Sequence, residues 1–411
     1  MANDSLCEDV NAVSFDADND KDLDLYVVSG GNEWEGNTSR LYDRLYINDG
    51  KGSFRKSGNL PLFFGNKSIA IPADIDHDGD MDLFIGGRVV AGKYGETPLS
   101  YLLVNDDKGR FSIQTSNICP ELERIGMVTD AAWTDINKDG WMDLIVAGEW
   151  MPVTIFINEK GHLKNSTKKL GLDDLTGLWT RLKVTDINGD GQEDILLGNW
   201  GENSKLHASK KYPLIMYEGD IDNNSYTEQI LAIEKNGQYY PFLGKDELQR
   251  ILPGVIRKKY PDYKSFAGQT VEEVFAGNLS ITNKLSAATL STMILVYREG
   301  KYEPLRLPEA MQWAPVFSWI IWDFNNDGLC DIIAGGNFKN VQPYEGSYDA
   351  GYGTMLLGNG NLTFSVVDML RSGINIKGEI RDIKTIKIAG SKIMFAVATN
   401  NGKIYFFQLN K

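Results

Sequence analysis

Five short segments space their carboxylates in a way that suits a hard cation. They read DADNDKDLDL from Asp16, DIDHDGDMDL from Asp74, DINKDGWMDL from Asp135, DINGDGQEDI from Asp186 and DFNNDGLCDI from Asp323. Positions 1, 3, 5 and 9 are Asp16, Asp18, Asp20 and Asp24 in the first copy and Asp74, Asp76, Asp78 and Asp82 in the second. They are Asp135, Asn137, Asp139 and Asp143 in the third, Asp186, Asn188, Asp190 and Asp194 in the fourth, and Asp323, Asn325, Asp327 and Asp331 in the fifth. Position 7 is free to vary (Asp22, Asp80, Trp141, Gln192, Leu329), as expected if it offers only its backbone carbonyl. Calcium takes about six to eight oxygens, and side chains at 1, 3 and 5, a carbonyl at 7 and a closing acid supply them. Magnesium fits less well because it keeps its water. An EF-hand is excluded, since it needs an acid at position 12, where these copies have Val27, Ile85, Val146, Leu197 and Ala334. One such segment alone would read equally as an Asx-rich turn; five in one register favour about five bound Ca2+ ions. Position 6 is Gly in four copies and Lys21 in the first; a left-handed backbone there costs a lysine on the order of 1 kcal/mol.

The metal reading also accounts for the charge. The formal net charge is −14, and the ligand positions hold 17 carboxylates. Five calcium ions would bring the chain to about −4 from −14. An acidic chain repels phosphate backbones, so nucleic acid is not an expected partner. No apolar run reaches the roughly 18 residues of a membrane helix, so no membrane insertion is expected. The start, MANDSLCEDVNAV, does not read as a signal peptide. Cys7, Cys119 and Cys330 make no disulfide framework and no CxxC pair, and buried free thiols are expected.

The elements that hold these segments must be strands. Each copy runs into a short apolar stretch ending in glycine, such as LFIGG after Asp82 or LIVAG after Asp143. Hairpins such as RLYINDGKGSFRK and YLLVNDDKGRFSI follow. The first four copies start 58, 61 and 51 residues apart, and the fifth follows after 137. Four strands per unit of about 50–60 residues fit a β-propeller. The fold expected is all-β, a single propeller domain over residues 1–411 with seven blades, six or eight being the alternatives. Blades begin near Val10, Ser68, Val128, Thr180 and Pro315. A fifth, lacking the acidic loop, reads in LSAATLSTMILVYREGKYEPLRL, and a seventh of three strands in IRDIKTIKI, KIMFAVATN and GKIYFFQLN. The source of its fourth strand, the N-terminus or residues outside the chain, is left open. Residues 235–277, with KDELQRILPGVIRKKY, read as a small helical insertion. DIDNNSYTE from Asp220 is a weakened version of the acidic loop, with Asn224 at position 5 and Glu228 at 9, and reads rather as a plain hairpin turn.

These residues resemble the FG-GAP (VCBS) repeats of integrin α-subunit propellers and of bacterial surface proteins. Phe64-Gly65, the acidic loop and Gly86-Gly87 spell the motif. GRVVAGKYGETPLSYLLVND, GMVTDAAWTDINKDGWMDLIVAGEWMP and YPFLGKDELQRILPGVIRKKYPDYKSFAGQTVEEVF resemble the large extracytoplasmic VCBS proteins of Bacteroidetes. The resemblance spans nearly the whole chain. It implies a propeller with calcium loops between the first and second strand of each blade, and little about activity.

On such a scaffold the residues after each second strand gather at the face away from the metals: Asn32, Trp34, Arg88, Glu149, Trp150, Asn199, Trp200, Asn337 and Phe338, with Trp179 and Trp313 nearby in segments entering first strands. Aromatic rings with polar neighbours suit a sugar or a peptide; the same side chains could instead plug the channel. The function expected is a binding module for a glycan or protein ligand. The alternative is a glycan-active lyase or hydrolase. There are three histidines, His77 inside an acidic loop and His162 and His207 in polar turns, and no nucleophile elbow, P-loop or zinc pair. A hydrolase would have to use a pair such as Glu149 with Glu33 or Glu202. Weak calcium loops fill outside the cytosol, so the expected location is extracytoplasmic: periplasm, outer-membrane surface or secreted, with membership of a longer surface protein left open.

Overall fold

The computed structural model describes residues 4–342, 344–388 and 392–408. The chain is all-β, and its described residues form seven antiparallel sheets with a few short helices. It divides into two compact units, Met1–Gly177 with Ala208–Thr289, and Leu178–His207 with Leu290–Lys411.

In the first unit three sheets follow the sequence repeat. The first contains Glu8–Phe15, Asp24–Gly30, Arg44–Ile47 and Arg55–Lys56; the second Asn66–Ala73, Asp82–Val89, Tyr101–Val104 and Ser112–Ile113; the third Met127–Thr134, Asp143–Pro152, Thr154–Asn158 and Leu163–Asn165. In each the acidic segment joins strands one and two. Second strands are buried on both faces, which is why they read as nearly unbroken apolar runs. Along Asp82–Val89, Leu83 and Ile85 pack with Tyr26 and Val28 of the first sheet. Phe84, between them, packs with Val128, Leu144 and Val146 of the third. The two-residue period of a strand thus serves two neighbours at once.

The glycines ending these strands are set by that packing. A Cβ on Gly86 would lie 2.6 Å from Val128 Cγ1. Beside it the first strand bulges at Ser68, whose hydroxyl donates to the carbonyl of Val128 at 2.7 Å. Similar register shifts fall at Val10 and Thr129 in the first and third sheets, and bulges of this kind redirect the chain at sheet rims.

The second unit repeats the scheme. Its sheets contain Arg181–Thr185, Asp194–Gly198, Met293–Arg298 and Lys301–Arg306; Val316–Trp322, Asp331–Gly336, Thr354–Gly358 and Phe364–Val367; and Ile380–Ile388, Lys392–Thr399 and Ile404–Gln408. Ile332 and Ala334 pack with Leu196 and Ile294 of the first of these, while Ile333 packs with Ile380 and Phe395 of the last. The last sheet has three strands among the described residues. Leu409 and Asn410, the end of its expected third strand, lie outside them.

The stretch read as a fifth blade is divided. Asn283–Ala287 pairs with Leu214–Gly219, in a sheet ordered Gln238–Pro241, Glu228–Lys235, Leu214–Gly219, Asn283–Ala287. Met293–Arg298 instead pairs with Asp194–Gly198. A whole sheet is therefore inserted between the second and third strands of the sheet that starts at Arg181. Reading consecutive strands as hairpin partners misses this, because nothing local in MILVYR names a partner so far back in the chain. The inserted sheet carries the helices Lys245–Ile251, Pro253–Lys259, Tyr263–Phe266 and Val271–Phe275. Leu248, Leu252, Ile256 and Phe275 cover its Ile215, Tyr217, Ile230 and Ala232. The first residues of the expected helical stretch, Gln238–Pro241, are strand. No described helix is long and apolar enough to cross a membrane.

The close approach at Gly86 gives a direct test. Gly86→Ala is expected to cost about 1–3 kcal/mol through overpacking against Val128, whereas Gly58→Ala, with nothing within 4 Å of its Cβ, is expected to be neutral. Urea unfolding of both variants checks this, and equal stabilities would show that the strand-to-strand packing is not the constraint.

Candidate functional site

The acidic loops share one internal frame. The position-9 carboxylates Asp24, Asp82, Asp143, Asp194 and Asp331 are all buried. One oxygen of each accepts the backbone N–H of position 2 in its own loop: Ala17 at 2.8 Å, Ile75 at 3.2 Å, Ile136 at 2.9 Å, Ile187 at 3.4 Å and Phe324 at 2.8 Å. The other accepts an N–H at the end of the third strand or just beyond it: Asn48 at 2.8 Å, Asn105 at 2.9 Å, Asn158 at 2.7 Å, Tyr297 at 3.0 Å and Gly358 at 2.8 Å. Position 9 is thus a structural hub whatever else it binds.

Position 1 accepts N–H groups from within the loop. Gly140, Gly191 and Gly328 at position 6 donate to Asp135, Asp186 and Asp323 at 2.8, 2.8 and 2.9 Å, and Lys21 donates to Asp16 at 2.9 Å. Lys21 has φ +75°, the left-handed conformation its position demands. Position 4 is left-handed as well, at Asn19, His77, Lys138, Gly189 and Asn326, a requirement that the sequence pattern alone does not announce.

The loops divide by position 3. Where it is Asn, its amide closes on the position-5 carboxylate, from Asn137 to Asp139 at 2.9 Å, Asn188 to Asp190 at 2.9 Å and Asn325 to Asp327 at 2.8 Å. Where it is Asp, carboxylates crowd together. Ligand atoms of Asp16, Asp18 and Asp24 lie within 4.8 Å of one another, as do those of Asp74, Asp76 and Asp78. Buried Asp18 Oδ1 and Asp74 Oδ1 have no hydrogen-bond partner. Like charges this close, with orphaned oxygens, need a cation or a proton. The donor set is hard oxygen throughout and fits calcium. Burial, with little opposing charge, lifts the Asp82 carboxyl to about 7 and those of Asp143 and Asp194 to about 6.

The Asp220 segment, read as a plain turn, takes the same frame. Ile221 donates to Glu228 at 2.9 Å and Ser225 to Asp220 at 2.7 Å. Asn223 and Ser225 are left-handed, and Asp220, Asp222 and Glu228 cluster within 4.8 Å. Serine at position 6 and Glu at 9 hide it in the sequence.

At the far end of the second strands the expected ligand residues fall into separate groups. In the first unit Arg88 is ion-paired with Glu149 at 2.7 Å, Tyr94 donates to the other Glu149 oxygen at 2.6 Å, and Trp150 Nε1 donates to Tyr94 at 2.9 Å. Trp150 holds φ +62°, an outlier for so bulky a residue. Such strain gathers at functional sites. Asn32 is exposed, and Trp34 is half-buried with the Arg40 guanidinium 3.5 Å from its ring centroid. In the second unit Trp200 meets Phe338 and Tyr348 at ring distances of 5.5 and 5.1 Å, and Trp313 is 47% exposed.

Other expected residues are placed inward. Trp179 is fully buried and has no surface to offer a ligand; a tryptophan in a segment entering a strand reads the same in either position. Asn199 and Asn337 are buried loop locks: Asn199 Oδ1 accepts from Trp200 N at 2.7 Å, and Asn337 Nδ2 donates to Gly351 O at 2.6 Å and Gly378 O at 2.8 Å. Of the carboxylates considered for hydrolysis, Glu149 has both oxygens occupied. Hydrogen bonding from Arg306 holds the Glu202 carboxyl below the usual range, which does not suit a general acid.

With this geometry in place, the class is defined by the loops. Residues 16–85 and 135–197 match the FG-GAP-like repeat family, and these spans contain the first four acidic loops. Over those two spans the chain is similar to FG-GAP-like repeats. No curated protein matches it. Among solved structures it is similar to Sqt1 of Saccharomyces cerevisiae, at 9% identity and TM-score 0.41 over 94% of this chain and 82% of that one. It is also similar to the V. cholerae biofilm matrix protein Bap1, at 10% identity and TM-score 0.38 over 97% and 77%. A third is BBS1N in complex with ARL6DN, at 10% identity and TM-score 0.36 over 98% and 93%.

The lifted carboxyls set a pH dependence. An acid whose folded pKa is raised contributes stability below its unfolded value and loses that contribution as pH rises through the folded one, here about 6 to 7. With metal chelated, the melting temperature is expected to be higher near pH 5.5 than near 7.5, and calcium is expected to remove or reverse the difference. Melting scans across that range check it; a chelated protein that is more stable at the higher pH would contradict it.

Proposed function

We propose that this chain is a calcium-stabilised β-propeller working outside the cytoplasm as a recognition module for a glycan or protein ligand. The observation that carries the reading is the division of labour along each second strand. One end joins an acidic loop whose oxygens suit a cation. The other end delivers aromatic and polar side chains, among them Trp34, Arg88, Trp150, Trp200 and Phe338. The calcium role is structural: a loop that surrounds its cation with protein oxygens leaves no open position for a substrate, as metal catalysis requires. Ca2+ would be held by the five Asp-rich loops, with the Asp220 loop offering a sixth frame. The occupied oxygens of Glu149 and the depressed Glu202 carboxyl favour binding over hydrolysis.

The test is thermal unfolding in excess calcium against excess chelator, with bound metal counted in the same sample. A clear upward shift in calcium, with about five ions per chain, is expected. An unchanged melting temperature and no bound metal would sink the calcium role and the location argued from it.

A further inference from the structure

We propose that a cavity in the first unit, between the loop after Gly30 and the segment entering the strand at Asn66, is a subsite for one acidic sugar residue, a hexuronate held by its carboxylate. This deepens the recognition function proposed above and rests on it. The cavity has a volume of about 260 Å3, and Trp34, Phe64, Glu96, Leu99 and Arg124 are among its walls. That is just below the roughly 300–1,000 Å3 of sites for drug-sized ligands, which limits the occupant to about one ring.

Arg124 carries the argument. It is exposed, at the end of the turn Pro120–Arg124. Its Nη1 donates to the Thr97 carbonyl at 3.1 Å. Its remaining N–H groups make no hydrogen bond or ion pair among the described residues. The acids nearest in the chain and in the walls are engaged elsewhere: Glu96 pairs with Lys93 at 3.1 Å, Glu121 accepts from Asn165 at 3.1 Å and Glu123 from Ser116 at 3.4 Å. The cavity therefore holds an unneutralised guanidinium, whose planar fork matches a carboxylate. A second guanidinium, Arg40, also without an acid partner among the described residues, lies 3.5 Å from the Trp34 ring centroid. It covers one face of the indole and leaves the other for a ligand.

The other walls suit a sugar better than an apolar side chain. Trp34, Phe64 and Leu99 are half-buried and offer apolar surface to the C–H face of a ring. Asn37 and Thr97 stand among them, and such side chains exchange hydrogen bonds with hydroxyls. Asn66 lies at the same place but takes no part: it is 4% exposed, and its amide, buried without a partner, presents no surface to a ligand.

The experiment uses the calcium-loaded full chain and four methyl glycosides, the glucuronide and galacturonide beside the glucoside and galactoside, with N-acetylleucine as a carboxylate that lacks a sugar ring. Ligand-observed NMR and titration follow binding. At least one uronide should bind, about tenfold or more tighter than its neutral counterpart, the gain expected from one charged hydrogen-bonded pair. Arg124→Gln should remove that preference, and its melting temperature in calcium should stay unchanged, since the side chain is exposed and makes one hydrogen bond. Equal binding of uronide and neutral glycoside, or a uronide affinity unaltered in Arg124→Gln, would overturn the subsite while leaving glycan recognition elsewhere on the chain intact. N-acetylleucine bound more tightly than either uronide would overturn the sugar class and give the cavity to a peptide carboxylate. No uronide bound by the unmodified chain would also overturn it, and the calcium count and melting shift of the same sample would decide the calcium-stabilised scaffold separately.

Discussion

A buried carboxylate at the ninth position of each acidic loop is the constraint on which the repeat depends. An aspartate at the first residue of a central strand, with no basic partner beside it, would be among the most expensive side chains to bury. It is tolerated because each oxygen takes a backbone N–H from a different part of the sheet. The N–H of position 2 ties the loop down, and the N–H beyond strand three ties the next hairpin to the same point. One side chain thereby fixes the relation of three strands. Asparagine in the hairpins extends the arrangement between sheets of the first unit: Asn105 Nδ2 donates to the Ala17 carbonyl and Asn158 Nδ2 to that of Ile75, both at 2.9 Å. The loops are thus stitched to the scaffold before any cation is considered.

The opposite ends of the same strands obey a different rule. There the next first strand approaches so closely that only glycine fits, as at Gly86 against Val128 and at Gly335, whose Cβ would lie 2.4 Å from Ile380 Cδ1. Close to this pinch the first strands bulge at Ser68, Thr129 and Phe317. Residues at this end take unusual conformations, such as Trp150 and Asn337 with φ of +62° and +83°. In each unit these strand ends carry side chains that do not repeat from sheet to sheet, and loops on a scaffold are where binding roles are usually acquired.

How much of this was legible followed from how local each signal is. The five acidic loops and their flanking strands could be read directly, because the carboxylates that mark a loop lie within nine consecutive residues. The left-handed requirement at position 4 stayed hidden because Asn, His, Lys and Gly all meet it. The inserted sheet was misassigned because Ile195 and Leu295 pair across an insertion, and neither sequence names the other. The Asp220 loop was undervalued because Glu228 reaches the same N–H as an aspartate with one more methylene. Trp179 and Asn66 show the remaining limit. Burial and an unmatched hydrogen-bonding group are properties of the packed molecule, and residue type at an equivalent repeat position does not distinguish a core tryptophan from a surface one.

Position 3 separates loops that otherwise look alike. An asparagine there neutralises its own neighbourhood by donating to the position-5 carboxylate, so the loop can hold its shape with a modest concentration of charge. An aspartate removes that donor and adds a negative charge, leaving Asp18 Oδ1 and Asp74 Oδ1 buried and unmatched. The first two acidic loops are therefore the ones whose conformation is costliest without a counter-charge, and they join the first two strands of the sheets that begin at Glu8 and at Asn66. A cation that relieved their repulsion would stabilise the starts of the strands Asp24–Gly30 and Asp82–Val89, where the two buried position-9 carboxylates sit.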